Sequence, residues 1–417
     1  MAAAHDCGGD RPAPLSVEAA LALLLQQARP VAGTQAVALA DALGRVLAEP
    51  VASPIDQPAW DNSAMDGYAV RAADVPGSTD GVLPVSQRIP AGARAEPLAP
   101  GSAARIFTGA PVPAGADTVV VQEACTALDD ARVRLPADIQ AGRNIRYRGE
   151  QLRAGDQVLP AGVRLGPQHL AVAASVGAAE LRVYRRLKVA IFASGDELVE
   201  PGAPLADGQI YNSNRTLFRG LLAGLGCDIQ DLGIVADTLE ATTRALAEGA
   251  EQADLVLASG GVSVGEEDHV RPAVEQLGRL DLWSVAMRPG RPVAFGHIGA
   301  TPFIGSPGNP VSLFVTFCLF ARPFIQRMQG LDPVPTPRRI RAAAGFDWPR
   351  PDKRREYQRA RLVSAADGMP TAEVFASRSS ADLTSLTWAD GLVELPENRS
   401  FRAGEPVSFI PFSELVA

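Results

Sequence analysis

LVLASGGVSVGEED (255–268) decides how this chain is read. Leu255 to Ser259 is an apolar run of the length of a buried strand. Gly260 and Gly261 then turn the chain, and Ser263, Gly265 and three acids ending at Asp268 lead into a helical pattern. Consecutive backbone N–H groups at such a strand-to-helix turn, with no Cβ in the way, form a cradle for phosphate or another oxyanion. The bland alternative is a glycine-rich connection that binds nothing.

The flanking sequence has the same rhythm. LKVAIFA (187–193) predicts a buried strand, NRTLFRGLLAGLG (214–226) a helix, CDIQDLGIVA (227–236) a strand and TLEATTRALAEGAEQ (238–252) a helix. After the glycine turn, EDHVRPAVEQLG (267–278) predicts a further helix, and another starts at Asn309-Pro310 and runs to about Met328. Strand–helix alternation implies βαβ units and a parallel sheet covered on both faces.

Outside this region the pattern changes. SVEAALALLLQQA (16–28) and VALADALGRVLAE (37–49) have helical periodicity, with Ser16 as a cap. Residues 55–150 are short β-like runs between Gly and Pro turns, and 151–185 hold one helical stretch, GPQHLAVAASVG (166–177). Short strands return in EYQRARLVS, TAEVFAS, GLVELP and PVSFIPF (356–412). The expected fold is a multidomain α/β plus β chain. Residues 1–54 with 151–185 form an elongated linking domain, 55–150 a β-rich domain, 186–332 a central parallel-sheet α/β domain, and 333–417 a small C-terminal β-barrel.

Composition narrows the function. At 417 residues the chain exceeds one core, and its 47% hydrophobic and 21% charged residues are ordinary for a folded protein. A net charge of -8 argues against broad attraction to nucleic acid or anionic membrane, so an anionic ligand needs a local basic site. Arginine carries nearly all the positive charge, because Lys188 and Lys353 are the only lysines. Four dispersed cysteines without a CxxC pair suit a reduced, cytoplasmic compartment. The apolar run Val311–Phe320 reads as a buried helix rather than a membrane span.

Several residue groups could carry chemistry. Asp196, Glu197, Asp237 and Asp268 fall at equivalent strand ends, where carboxylates could hold Mg²⁺; helix capping explains Asp237, Glu240 and Asp268 equally well. AMRPGRPVAFG (286–296) sets Arg288 and Arg291 about a Pro-Gly turn, a possible oxyanion clamp or two exposed arginines. GSPGNPVS (305–312) offers Asn309 as an N-cap and Ser312 in the first helical turn. WDNSAMDGYAV (60–70) packs Asp61, Asn62, Ser63 and Asp66 together, more polar capacity than a hairpin requires.

Taken in order, WDNSAMDGYAV, RIFTGAPVPAGADTVVVQE, NIRYRGE, ASGDEL, SGGVSVGEED, MRPGRP and GSPGNPVS resemble the molybdopterin molybdenumtransferase family (MoeA-type, including the gephyrin E domain) over residues 16–417. The resemblance implies an enzyme that inserts molybdenum from molybdate into adenylated molybdopterin. It releases AMP, uses Mg²⁺ and works as a homodimer whose cleft also involves the partner's β-rich domain. Other molybdenum-cofactor biosynthesis proteins would hand over or receive the pterin; the charge balance already argues against nucleic acid and membrane as partners.

By motif, Gly260, Gly261 and Ser263 cradle phosphate or molybdate. Glu197, Asp237 and Asp268 are acidic cleft residues and Mg²⁺ candidates; Arg288, Arg291, Asn309 and Ser312 line the substrate site. Asp61, Asp66 and Thr108 contribute from the β-rich domain, and Arg359 and Ser380 from the C-terminal domain. The chain departs from the family at Arg288 and Arg291, where lysines are common, and at Gln151 and Asn212, where acids are. Two other readings stay open: a nucleotidyltransferase or phosphate-ester hydrolase on the same α/β domain, and a non-catalytic scaffold.

Overall fold

The computed structural model describes residues 14–31, 33–75, 79–128, 131–262, 268–364 and 368–416. Contacts divide the chain into two units. The first takes in the described residues of Met1–Glu49, Ala161–Gly166 and Leu181–Ala417; the second is Pro50–Pro160 with Pro167–Glu180.

The first unit is built around a six-stranded sheet. Its order is Asp228–Val235, Lys188–Ser194, Leu255–Ser259, Thr301–Ser306, Pro292–Ile298, Gly278–Ser284. The first four strands are parallel and the last two extend the sheet antiparallel. That extension was not anticipated in the sequence. Alternate residues face opposite sides: Val189, Ile191, Leu255 and Leu257 share one buried cluster with Phe218 and Leu222. Ala190, Phe192, Val256 and Ala258 share another with Leu246, Ala273 and Val274. Both faces are covered, which is why these strands read as unbroken apolar runs. Truncating Phe192 to alanine would cost about 3–5 kcal/mol.

From Lys188–Ser194 the chain passes through helix Ser213–Gly224 to the edge strand Asp228–Val235. It then returns through helix Leu239–Gln252 to Leu255–Ser259, on the other side of the first strand. The winding direction therefore reverses beside Lys188–Ser194, the point in an open parallel sheet where ligands bind. Register places Ser194 opposite Val235, Ala193 opposite Ser259 and Ser259 opposite Ser306, so three serines end at the same carboxyl edge.

The helix over Pro310–Met328 is long and apolar enough to cross a membrane by length and composition, yet 89% of that window is buried inside the fold. Phe317, Phe320 and Phe324 sit in the core of the first cluster. At the N-terminal side, helix Val17–Gln27 buries Val17, Ala20 and Leu24, and Ser16 Oγ accepts a hydrogen bond from the Ala19 N–H at 3.1 Å.

The helix expected over 37–49 does not form. Thr34–Ala38 is a strand paired with Glu180–Tyr184, and only Leu39–Asp41 makes a short 3-10 turn. Gly44 adopts a φ of +75°, and Val46 and Leu47 bridge to Arg164 and Val183. Pairing partners far along the chain override a local periodicity that carries only small propensity energies.

Near the C-terminus, strands Ile340–Ala344, Arg355–Val363, Thr371–Val374, Gly391–Leu395 and Pro406–Pro411 form a closed barrel, sealed by the pairing of Arg355–Val363 with Gly391–Leu395. Trp348, Ala360, Val393 and Phe409 fill its core. A two-residue strand, Met287–Arg288, adds in parallel to Arg355 and Glu356.

The second unit contains a six-stranded sheet ordered Thr118–Val121, Gly67–Val70, Ala103–Ile106, Val82–Ile89, Arg132–Arg134, Thr126–Leu128. Gly67 is required at a tight crossing, since a Cβ there would lie 1.9 Å from the Val120 carbonyl oxygen. The expected helix within 166–177 is present as Pro167–Ser175.

Candidate functional site

A cavity of about 660 Å³ opens at the carboxyl edge of the parallel strands. Its walls come from the ends of three strands and the turns that follow them: Ser194, Gly195 and Glu197; Ser259, Gly260 and Gly261; and Pro307, Gly308 and Asn309. Gly260 has φ +85°, and a Cβ on it would sit 2.3 Å from the Ser194 carbonyl oxygen. Its N–H donates to Ser306 O at 3.2 Å, which clamps the turn between the neighbouring strands. Only glycine fits there. Ser263 lies outside the described residues.

The acids divide by partner. Asp237 Oδ1 accepts from Ser194 Oγ at 3.0 Å, and the Asp237 N–H donates to Asp196 Oδ1 at 3.0 Å. Capping of helix Leu239–Gln252 falls instead to Thr238, whose hydroxyl accepts from the Ala241 N–H at 3.2 Å. Asp237 is thus released from the capping role and lines the cavity, as does Glu197. Asp268 precedes helix Val270–Leu277 without capping it; both carboxylate oxygens are buried with no hydrogen-bond partner among the described residues. Burial, reinforced by the charge of Asp237, pushes its pKa up to about 6. The nearby amides of Arg271 and Val270 pull the other way without reaching hydrogen-bond geometry.

Among the described residues, no three His, Cys, Asp or Glu side chains converge as a metal centre. Mg²⁺ does not need three, because it commonly keeps waters and takes one or two carboxylates plus substrate phosphates. Asp237 on the cavity wall and Asp268, buried with no hydrogen-bond partner among the described residues, are two carboxylates of the kind that requirement names.

Three residues of the cavity wall each carry a buried polar atom with no hydrogen-bond partner among the described residues: Ser259 Oγ, Asn212 Nδ2 and Asn214 Oδ1; Asp268 is not on that wall. The other end of each amide is occupied. Asn212 Oδ1 accepts from the Arg215 N–H at 3.2 Å as the N-cap of helix Ser213–Gly224, and Asn214 Nδ2 donates to Gly308 O at 2.7 Å. An unpaired buried polar atom costs about 1–3 kcal/mol, so three on residues of one cavity wall mark that wall as a polar site. Sequence reasoning missed Ser194, Ser259 and Asn214, and treated Asn212 only as a lost acid. The signal was the Asn-Ser-Asn cap at 212–214.

Asn309 is the N-cap of helix Pro310–Thr316 but makes no side-chain capping bond, and it lines the cavity. Ser312 is buried in the first turn. Ser380 reaches this helix through its backbone, its carbonyl accepting from the Val311 N–H at 3.0 Å, and the adjacent Ala381 and Leu383 line the cavity. Arg359 is 1% exposed and its donors go to the loop that carries Ser380: Nε to Ser385 Oγ at 3.0 Å, Nη2 to Ser377 O at 2.6 Å and to Ser379 O at 3.1 Å. Arg288 lies 3.7 Å from Asp352, and Arg291 is exposed, its carbonyl accepting from the Val285 N–H at 3.0 Å. Neither guanidinium lines the cavity; Pro292 does.

In the second unit, Asp66 Oδ1 accepts from both the N–H and Oγ1 of Thr108 at 2.8 Å, which holds its pKa below the ordinary carboxylate range. Asp61 Oδ1 accepts from the Arg148 N–H at 2.8 Å. The acids and the hydroxyl are thereby fixed in place on exposed surface.

Three family descriptions match consecutive parts of the chain: MoeA N-terminal region (domain I and II) over residues 15–177, probable molybdopterin binding domain over 190–327, and MoeA C-terminal region (domain IV) over 341–412. The chain belongs to the MoeA family. Relatives named molybdopterin molybdenumtransferase include one from Haemophilus influenzae, 37% identical over 96% of this chain and 100% of its own length. Another, from Nostoc sp., is 39% identical over 88% of this chain and 86% of its own. Among solved structures, a molybdopterin biosynthesis MoeA protein from Pyrococcus horikoshii superposes with a TM-score of 0.81 at 27% identity, covering 96% of this chain and 100% of that one.

Proposed function

We propose that this chain is a molybdopterin molybdenumtransferase, which inserts molybdenum in the last step of molybdenum-cofactor biosynthesis, and that the carboxyl-edge cavity is its active site. The observation that carries the assignment of the site is that Ser259, Asn212 and Asn214, each with a buried polar atom unpartnered among the described residues, line one cavity at the sheet's reversal point. Its volume of about 660 Å³ falls within the usual range of small-molecule sites.

The substrate in this reading is adenylated molybdopterin, with molybdate as the second substrate. The Gly261 amide, Ser259 Oγ and Asn212 Nδ2 hold phosphate and oxyanion oxygens as donors, and Asn214 Oδ1 accepts from a donor group of the substrate. Arg288 and Arg291, which lie off the cavity wall, supply positive charge to molybdate from the neighbouring turn. Asp237 and Asp268 would hold Mg²⁺, which supplies charge neutralisation at phosphate. Asp268 orients a water toward the adenylate phosphorus. The water oxygen bonds to phosphorus, the phosphoanhydride bond to the pterin phosphate breaks, and the water's proton passes to Asp268. Arg359 positions the loop bearing Ser380 from behind.

We further infer a cytoplasmic homodimer that exchanges the pterin with other biosynthetic proteins, to which Asp61, Asp66 and Thr108 contribute from the second unit. Sedimentation of the purified chain tests the dimer. The activity test supplies adenylated molybdopterin, Mg²⁺ and molybdate and measures AMP together with active cofactor. AMP release without cofactor would leave a phosphate-ester hydrolase, and binding without AMP release a scaffold.

A further inference from the structure

A second cavity, of about 200 Å³, lies in the same unit and shares no wall residue with the first. Four arginines line it: Arg45, Arg164, Arg185 and Arg186. Arg185 and Arg186 immediately precede strand Lys188–Ser194, whereas the first cavity begins at that strand's last residue. A strand rises about 3.3 Å per residue, so the two sites stand roughly 20 Å apart, at opposite ends of the sheet.

The arginines are anchored from behind by neutral oxygens. Arg164 donates to Gly44 O at 2.9 Å and to Gln329 Oε1 at 2.6 Å; Arg45 donates to Tyr184 O at 2.7 Å; Arg186 donates to Gly226 O at 3.0 Å. None of these three has an ion pair among the described residues. Arg185 alone is paired, bidentately with Asp254 at 2.7 and 2.6 Å. The other opposing charges are Asp228, which attracts Arg45 and Arg185, and the carbonyl end of helix Ser213–Gly224.

Two carboxylates against four guanidiniums leave two positive charges, in a chain whose net charge is negative. Like charges are crowded as well: Arg186 opposes Arg45, and Arg322 opposes Arg164. Guanidiniums fixed by carbonyls and left without carboxylates present their remaining N–H groups to an anion, in the fork geometry that suits tetrahedral oxyanions.

We propose that this cavity binds a tetrahedral oxyanion of charge near -2, either free or as the terminal phosphate of a small ester. Its volume lies below the roughly 300 Å³ at which pockets for drug-sized ligands begin, which excludes a whole pterin nucleotide. The site is separate from the carboxyl-edge cavity and independent of the reaction assigned to it.

The test is equilibrium dialysis of the full chain with radiolabelled inorganic phosphate at low ionic strength. Arg45→Gln and Arg164→Gln should each weaken saturable binding at least tenfold, while Ser259→Ala leaves this class of sites intact. Arg186→Gln, at an exposed position, serves should Arg164→Gln fail to fold, and is expected to weaken binding at least threefold. Competition by molybdate alone marks a free oxyanion, and competition by a small phosphate monoester an ester phosphate; either supports the site. Absence of saturable binding, or binding that survives Arg45→Gln and Arg186→Gln but disappears with Ser259→Ala, overturns it. Transferase activity in the arginine variants reports separately on the reaction.

Discussion

The guanidinium of Arg288 lies 3.7 Å from the carboxylate of Asp352, which Arg354 already grips at 2.7 Å through Nη2 and 3.0 Å through Nε. Asp352 is held down at a pKa of about 2, first by Arg354 and further by Arg288. Arg288 is therefore a junior partner in this pair and can be drawn away by a stronger anion. Arg288→Ala and Arg291→Ala are expected to raise the molybdate concentration for half-maximal insertion at least tenfold, equivalent to about 1.4 kcal/mol. Lysine at either position should restore most of that loss. Normal molybdate dependence in the alanine variants would make the turn a structural connection.

Asp268 yields a prediction with a sign in pH. Its carboxyl is raised from 3.8 to about 6 in the fold, so the native state holds the proton more tightly than the unfolded chain. Stability from this group is complete below pH 4 and declines as the pH rises through 6. Asp268→Asn removes the titration. The variant's Tm relative to the parent should therefore climb between pH 4 and pH 7, while AMP release is nearly abolished. A Tm difference that is flat in pH would show that Asp268 is not a buried, proton-hungry carboxyl.

Glycines on the cavity wall should separate strain from occupancy. Gly260→Ala forces a side chain into a φ of +85° and a contact of 2.3 Å with Ser194 O, and should cost at least about 1–3 kcal/mol. Gly308 offers ordinary space, its nearest neighbour being 3.8 Å from a built Cβ. Gly308→Ala should fold with nearly the parental Tm and weaken substrate binding instead. Chemical denaturation and a binding titration on both variants check the contrast.

Arg359 should behave as a positioning residue. Removing its side chain strands the carbonyls of Ser377 and Ser379 and the hydroxyl of Ser385. Hydrogen bonds to charged groups contribute about 1.5–3 kcal/mol each, so Arg359→Ala should lower Tm markedly. Amide exchange should accelerate over residues 377–385 while the rest of the barrel stays protected. Loss of activity with unchanged exchange in this loop would favour direct contact with substrate.

Legibility in the sequence followed the kind of interaction involved. Strands Lys188–Ser194 and Leu255–Ser259 were readable because burial on both faces leaves an unbroken apolar run. The antiparallel strands Gly278–Ser284 and Pro292–Ile298 were not, for the second follows directly on a Pro-Gly turn that dominates the local pattern. The stretch 37–49 looked helical because its apolar spacing satisfies a 3.6 period; the distant partner at Glu180–Tyr184 leaves no trace there. At the site, acids and glycines announced themselves by residue type. Ser259 and Asn214 did not, since their interest lies in what they fail to bond to, which only packing reveals.

Met287 and Arg288 have a consequence for how this protein could be taken apart. The two residues leave the edge of the α/β sheet, pair with Arg355 and Glu356 at the start of a barrel strand, and return to the sheet at Pro292. One short segment is thus stitched into two sheets. A chain cut before Arg338 would keep the βαβ core, but it would shed the lattice of amides that sets the MRPGRP turn and the carbonyl that seals Val311. The barrel is not a detachable module: the half that looks self-sufficient depends for the shape of its own rim on strands encoded more than sixty residues downstream.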